Sequence, residues 1–205
     1  MKNWIILFIS LFLSTLTSIA EWRDGDIILQ ETAGQQAEVV KLATKSNWTH
    51  TGVVFIHQGT PMVLEAVQPV RVTALKDFLK RSHRGNYQVM RLKDPSPLTQ
   101  SSISKAHLWA KEQVGKQYDA QFLWSDNHLY CSELVWKVFQ SCANVELCKP
   151  KTIRDYDLSH PKVQALIKQR YGSVNRLPLS EKVVAPSDIA ESPLLEIVDR
   201  PSKKG

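Results

Sequence analysis

Apolar positions along the chain fall first into short runs and then, past its middle, into helical faces. Ile27-Ile28-Leu29 follows the turn signal Asp24-Gly25-Asp26 and reads as a strand. Ala37 to Ala43 has helical spacing, with Val39, Val40 and Ala43 on one side. Thr51 to Ile56 and Met62 to Val67 are rich in β-forming residues and flank His57-Gln58-Gly59-Thr60-Pro61, which predicts a hairpin. Val70 to Thr73 adds a short strand, Leu75 to Leu79 a helical turn or two, and Tyr87 to Leu92 another strand. Ile103, Ala106, Ala110 and Val114 then mark one face of a helix that stops near Gly115. A second helix follows Tyr130 and carries Leu134, Val135, Val138, Phe139 and Cys142. A third starts at Ser159-His160-Pro161 and runs to Tyr171, with Gly172 as its stop. From Glu191 onward no period is visible, and Lys203-Lys204-Gly205 reads as a frayed tail. Strands before residue 93 and helices after 98 form a segregated order, which predicts an α+β domain rather than alternating βαβ units.

The first twenty residues stand outside this pattern. Lys2 gives a positive start, Trp4 to Leu13 an apolar run, and Ser18-Ile19-Ala20 small residues at the two positions a signal peptidase reads. The segment therefore reads as a secretory signal cleaved after Ala20, leaving residues 21–190 as one domain and 191–205 as a C-terminal tail. An uncleaved anchor is the alternative, but Ser10, Ser14, Thr15, Thr17 and Ser18 dilute the run below the ~20 residues a spanning helix needs. No later segment is apolar enough to span a bilayer, so the expected mature protein is exported, in the periplasm or outside the cell.

Composition narrows the classes. With 43% hydrophobic residues and only 8 Gly and 10 Pro, the chain is neither low-complexity nor broadly disordered. The net charge of +6 is made of scattered Lys and Arg, so no nucleic-acid partner is expected. Three cysteines are too few for a disulfide-built scaffold and lack the paired spacing of a structural zinc site.

The chemistry concentrates at Tyr130-Cys131-Ser132-Glu133-Leu134-Val135-Trp136. This places a cysteine at the first turn of an amphipathic helix, where unpaired backbone N–H groups and the positive end of the helix dipole favour a thiolate. A nucleophile also needs a base. Of the six histidines, His57 reads as a turn residue, His83 as loop, His107 as helix surface and His160 as a helix start. His128 lies three residues before Cys131, but no second pair completes a metal site. His50, at the mouth of the strand Thr51 to Ile56, is the preferred partner. In the hairpin, a turn at His57-Gln58 sets His50 directly opposite Glu65, and a turn at Gln58-Gly59 sets the two on a diagonal of one face. Glu65 then either orients the imidazole or lies on the solvated face of its strand. If Cys131 is the reactive thiol, Cys142 and Cys148 are left to pair with each other or to remain buried thiols.

Leu108 to Phe139, with Gly115-Lys116-Gln117-Tyr118-Asp119 and Tyr130-Cys131-Ser132-Glu133-Leu134-Val135, resembles the catalytic segment of NlpC-type papain-like cysteine peptidases. In those enzymes cysteine precedes histidine. Here Thr49-His50-Thr51-Gly52 and Leu64-Glu65-Ala66 come first, an order similar to the circularly permuted YiiX/YebB-like branch, as is the opening Asp24-Gly25-Asp26-Ile27-Ile28. The resemblance covers nearly all of residues 22 to 190. It implies a papain-like α+β fold, a small antiparallel sheet or barrel packed on helices. It further implies Cys131 as nucleophile, His50 as base, Glu65 as orienter and Tyr118 as an active-site tyrosine for oxyanion or substrate positioning, with no metal and no cofactor. Two departures, Glu133 for the usual glycine and Tyr130 for the usual aspartate, imply an altered substrate rim.

Three function classes follow. The first is an exported cysteine hydrolase of amide bonds, with peptidoglycan stem peptides of the cell envelope as the leading substrate. The second is an acyl hydrolase or acyltransferase acting on lipids, because permuted relatives include enzymes of that kind. The third is a catalytically silent binding module using the same cleft.

Overall fold

The computed structural model describes residues 21–199. The leader, the cleavage position at Ala20 and the Lys203-Lys204-Gly205 tail lie outside the described residues. In chain order the elements are β1 (Ile27–Gln30), α1 (Gln35–Thr44), β2 (His50–His57), β3 (Thr60–Glu65), β4 (Arg71–Ala74), α2 (Leu75–Lys80), β5 (Tyr87–Leu92) and α3 (Gln100–Gln113). There follow β6 (Gln117–Tyr118), β7 (His128–Leu129), α4 (Cys131–Ala143), β8 (Lys151–Thr152), α5 (Pro161–Tyr171), β9 (Lys182–Val183), α6 (Pro186–Ala190) and β10 (Leu195–Asp199).

Six strands form one antiparallel sheet in the order β10-β5-β1-β2-β3-β4. It is open, so of the two expected forms the sheet is present and the barrel is not. Both faces are covered. Alternation along the strands sends Ile27, Leu29, Val53, Phe55 and Leu64 toward α3 and α4, where they meet Ala106, Ala110, Leu134, Val135, Val138 and Phe139. The intervening positions Ile28, Val54 and Val63 pack around Phe78 of α2. At about 25 cal/mol per Å² of apolar surface, each fully buried Leu, Ile, Val or Phe in these layers contributes about 1.5–3 kcal/mol.

The β2–β3 turn is Gln58-Gly59, two residues both at positive φ (49° and 76°), as a hairpin of this length requires. Val53 lies opposite Leu64, and His57 opposite Thr60. This register realises the diagonal alternative: Gly52 faces Glu65, and His50 sits two residues away on the same side of the sheet.

The stretch from Glu191, in which no period is visible, contains β10, which adds to the outer edge of β5. Its pattern is short, with Glu196 exposed and Ile197 43% exposed, so only Leu195 carries a core signal. Edge pairing, which depends on a strand more than ninety residues earlier, decides it. The two-residue pairs β6–β7 and β8–β9 are likewise products of tertiary contact and too short for periodicity to reveal.

Gly52 shows how tightly the hairpin is packed beneath the site. A Cβ there would lie 2.5 Å from Val63 Cγ1, and 3.0 Å from both the Leu64 carbonyl oxygen and Phe78 Cε2. Gly52→Ala should therefore lower stability by about 1–3 kcal/mol through overpacking, seen as a lower midpoint in thermal or urea unfolding. An unchanged midpoint would show that the hairpin and α2 move apart freely.

Candidate active site

Glu65 ends β3 with no exposed surface. Four neighbours meet its carboxylate. His50 Nε2 donates to Oε2 at 2.7 Å, Thr73 Oγ1 donates to Oε1 at 2.6 Å, and Arg81 Nη2 lies 2.6 Å from each oxygen. Arg71 Nε stands at 3.5 Å. Burial by itself would push this carboxyl up; the hydrogen bonds and charge of His50, with those of Arg81 and Thr73, outweigh it and bring the group down to about 2. Phe78 adds a lateral wall, its ring stacked 5.5 Å from the His50 ring and 5.3 Å beneath the Arg81 guanidinium.

Cys131 is the first residue of α4, a thirteen-residue helix entered through extended backbone at Tyr130. The sequence builds this start by giving Glu133 the N-terminal cap work: its carboxylate accepts the N–H of Tyr130 at 3.4 Å and of Ser125 at 3.2 Å, and pairs with Lys137 at 2.8 Å. Glu133 is thus fully buried under the helix start rather than on a substrate rim, and burial raises its carboxyl to about 7. Tyr130, the other departure, does line the cleft beside Cys131, and its hydroxyl accepts the Val184 N–H.

The thiol and the imidazole meet. Cys131 lies within electrostatic reach of the His50 ring and of the Thr51 N–H. Since Nε2 serves Glu65, Nδ1 is the ring nitrogen left to the sulfur. Burial of Cys131 raises its pKa, yet the neighbouring His50, with the Thr51 amide, brings it below the ordinary thiol value. Burial would lower His50; Cys131 beside it and its bond to Glu65 reverse that and lift the imidazole to about 9. Such a pair favours thiolate and imidazolium over two neutral groups.

Two cavities flank the pair. A cleft opens at Cys131 between α1 and α5, walled by Val39, Val40, Phe122, Val163, Leu166, Ile167 and Leu177. A second groove contains His50 with Thr32, Gln35, Ala66 and Gln68. Tyr118, Gln36 and Thr49 border both. Tyr118 therefore lines the same cleft as the thiol, and Gln36 Nε2 donates to its hydroxyl oxygen at 2.7 Å.

The other expected chemistry is dispersed. His128 is exposed on β7; His107 binds Asp24 at 3.0 Å; the Nδ1 of His160 accepts the Lys162 N–H at 3.2 Å. Cys131, Cys142 and Cys148 are all free thiols, so the pairing of the last two is not made. Among the described residues no three His, Cys, Asp or Glu side chains stand close enough to ligate a metal. Missed by sequence reasoning were Arg81, Thr73, Gln36 and Arg170. Thr73, two residues beyond the partner of Glu65 on β4, was within reach of strand alternation; Arg81, Gln36 and Arg170 carry no signal in spacing or composition.

Chain order is the diagnostic feature. The strand bearing the imidazole precedes the helix bearing the thiol, and the sheet packs on that helix as in papain-like enzymes, which defines a circularly permuted papain-like cysteine hydrolase. A model of the permuted papain-like amidase family (YaeF/YiiX, C92) matches residues 21–199, and the chain belongs to that family. It is 37% identical over 198 residues to protein YiiX of Escherichia coli (strain K12), covering 97% of this chain and 96% of YiiX. The crystal structure described as metalloprotein YiiX from Escherichia coli O157:H7 superimposes with a TM-score of 0.82 at 38% identity, over 88% of this chain and 98% of that one.

With Cys131 as nucleophile and His50 as its acid and base, their pairing would set the pH profile. Catalytic efficiency should rise as the thiol deprotonates, with a midpoint below the ordinary thiol value of 9.0, and fall as His50 loses its proton through about 9. Glu65→Gln removes a charge that holds that proton, so the alkaline limb should move to lower pH. An unmoved limb in this variant would mean that Glu65 does not act on the imidazole.

Proposed function

We propose that Cys131 is the nucleophile, His50 its acid and base, and Glu65 the orienting carboxylate of an amide-cleaving cysteine hydrolase. The observation that carries this reading is the continuous chain of contacts from a helix-start thiol through a buried imidazole to a buried carboxylate. In the first step the thiolate adds to the carbonyl carbon and the C=O electron pair moves onto oxygen. The C–N bond then breaks, and the His50 imidazolium protonates the leaving amine. Water, giving its proton to the neutral imidazole, attacks the thioester and releases the carboxylic acid. The Cys131 N–H and the Tyr118 hydroxyl serve the oxyanion.

The cleft favours an acyl lipid over a wall peptide as the substrate. Val, Leu, Ile and Phe are the largest group in its lining, four tyrosines add aromatic surface, and Arg170 is its one charged side chain, already bonded to Gln36 and to the Ala120 carbonyl. A stem peptide brings free carboxylates that find no unengaged cation here, whereas a hydrocarbon acyl chain gains about 0.8 kcal/mol per buried methylene. An exported enzyme, delivered by residues 1–20, would meet such substrates at the cell envelope.

Purified protein incubated with long-chain N-acyl amides, phospholipids and muropeptides, with products read by mass spectrometry, tests this directly. Fatty acid release that disappears in Cys131→Ala is the expected result; cleavage of muropeptides alone would return the substrate to the wall. Cys131→Ser and His50→Ala should each remove nearly all turnover, and Glu65→Gln should cost ~10- to 1,000-fold, all with the fold retained on circular dichroism. Full activity in Cys131→Ser would overturn the cysteine mechanism.

A further inference from the structure

The wall between the two cavities is a chain of hydrogen bonds with only one permitted direction. Arg170 Nη2 donates to Gln36 Oε1 at 2.6 Å, and Gln36 Nε2 donates to Tyr118 Oη at 2.7 Å. A guanidinium has donors and no acceptor, so the carboxamide oxygen must face it. The carboxamide nitrogen, also a donor only, must then face the phenol, whose oxygen can only accept. Arg170 is itself held in place, Nη1 on the Ala120 carbonyl at 2.6 Å and its plane 5.3 Å over the Phe122 ring. The single Tyr118 proton is consequently turned away from Gln36. Among the described residues no other side chain bonds the Tyr118 hydroxyl, and Tyr118 shares the cleft with Cys131.

We infer, taking Cys131 as the nucleophile, that Gln36 and Arg170 are positioning residues which commit the Tyr118 hydroxyl to donating its hydrogen bond to the substrate carbonyl oxygen. As the thiolate adds and the oxygen gains charge, that bond strengthens, and no proton changes owner. A donor fixed before reaction stabilises the oxyanion without reorganising, where a freely rotating hydroxyl would first have to be aligned. Burial and the neighbouring Cys131 hold the phenol pKa above its ordinary value, so the hydroxyl keeps its proton throughout.

Gln36→Glu tests the direction of the chain while preserving its shape. A carboxylate accepts from Arg170 and from Tyr118 alike, so the phenol proton turns toward Glu and away from the cleft. Two probes separate the steps: iodoacetamide alkylates a thiolate without forming an oxyanion, and p-nitrophenyl decanoate acylates it through one. In Gln36→Glu, alkylation of the Cys131 peptide, followed by mass spectrometry, should stay within about 3-fold of wild type. The p-nitrophenol burst should slow by about 10²- to 10³-fold. Tyr118→Phe should show the same burst defect, and the double variant should be no slower than Tyr118→Phe alone, because the two changes remove one donor.

Wild-type acylation in Gln36→Glu overturns the inference. So does equal slowing of alkylation and acylation, or an added loss on top of Tyr118→Phe, since either means that the new charge acts on the thiolate or oxyanion directly. A burst that survives in Cys131→Ala, with Cys131 alkylated no faster than Cys142 or Cys148, overturns the nucleophile assignment and this inference with it.

Discussion

A carboxylate with no exposed surface is the constraint around which the site is organised. Burying such a charge costs several kcal/mol unless it is paired and hydrogen-bonded, so Glu65 must recruit partners from every element around it. It does: His50 comes from β2, Thr73 from β4 and Arg81 from the end of α2. Phe78, from the same short helix, then stacks on both the imidazole and the guanidinium. The sheet register, the placement of α2 and the angle of the imidazole are thereby tied to one another, and the ring cannot turn without unpairing a buried charge.

That rigidity explains how a thiolate and an imidazolium are held together in a buried place. Burial opposes both a thiolate and an imidazolium, yet each is the other's counter-ion, and Glu65 supplies a second negative neighbour to His50. The helix start contributes its dipole and its free N–H groups at the same point. Glu133, in the position where relatives of the NlpC type carry glycine, leaves the reacting face alone and secures the helix start from beneath, through the backbone of Ser125 and Tyr130.

The two sides of the Cys131–His50 pair differ in kind. On the thiol side the walls are aliphatic and aromatic, with α1 and α5 meeting through Val39, Val163, Leu166 and Ile167. On the imidazole side the groove has Thr32, Gln35 and Gln68. In the proposed reaction an acyl group bonded to sulfur would lie against hydrocarbon, while the leaving group and water would approach His50 from the less apolar groove. Tyr118, on the boundary, is where the carbonyl oxygen between them would be received.

Most of this was legible in the chain, and the reasons are local. Strong periodicity marked the helix after Tyr130 and the helix from Pro161 to Gly172, because each buries one face against a core. Cys131 was readable since a helix start is a sequence signal, and the His50–Glu65 pairing since a hairpin turn allows few registers; the choice between registers fell to Gln58 and Gly59, which accept positive φ together. What only the tertiary structure decided are contacts between segments with no periodic relation to one another. The β10 edge strand, Arg81 under Glu65, and the Arg170–Gln36–Tyr118 chain across α5, α1 and β6 belong here. So does the apolar character of the cleft, because it is assembled from single faces of helices whose outward sides are polar, and no one stretch of sequence holds more than a part of it.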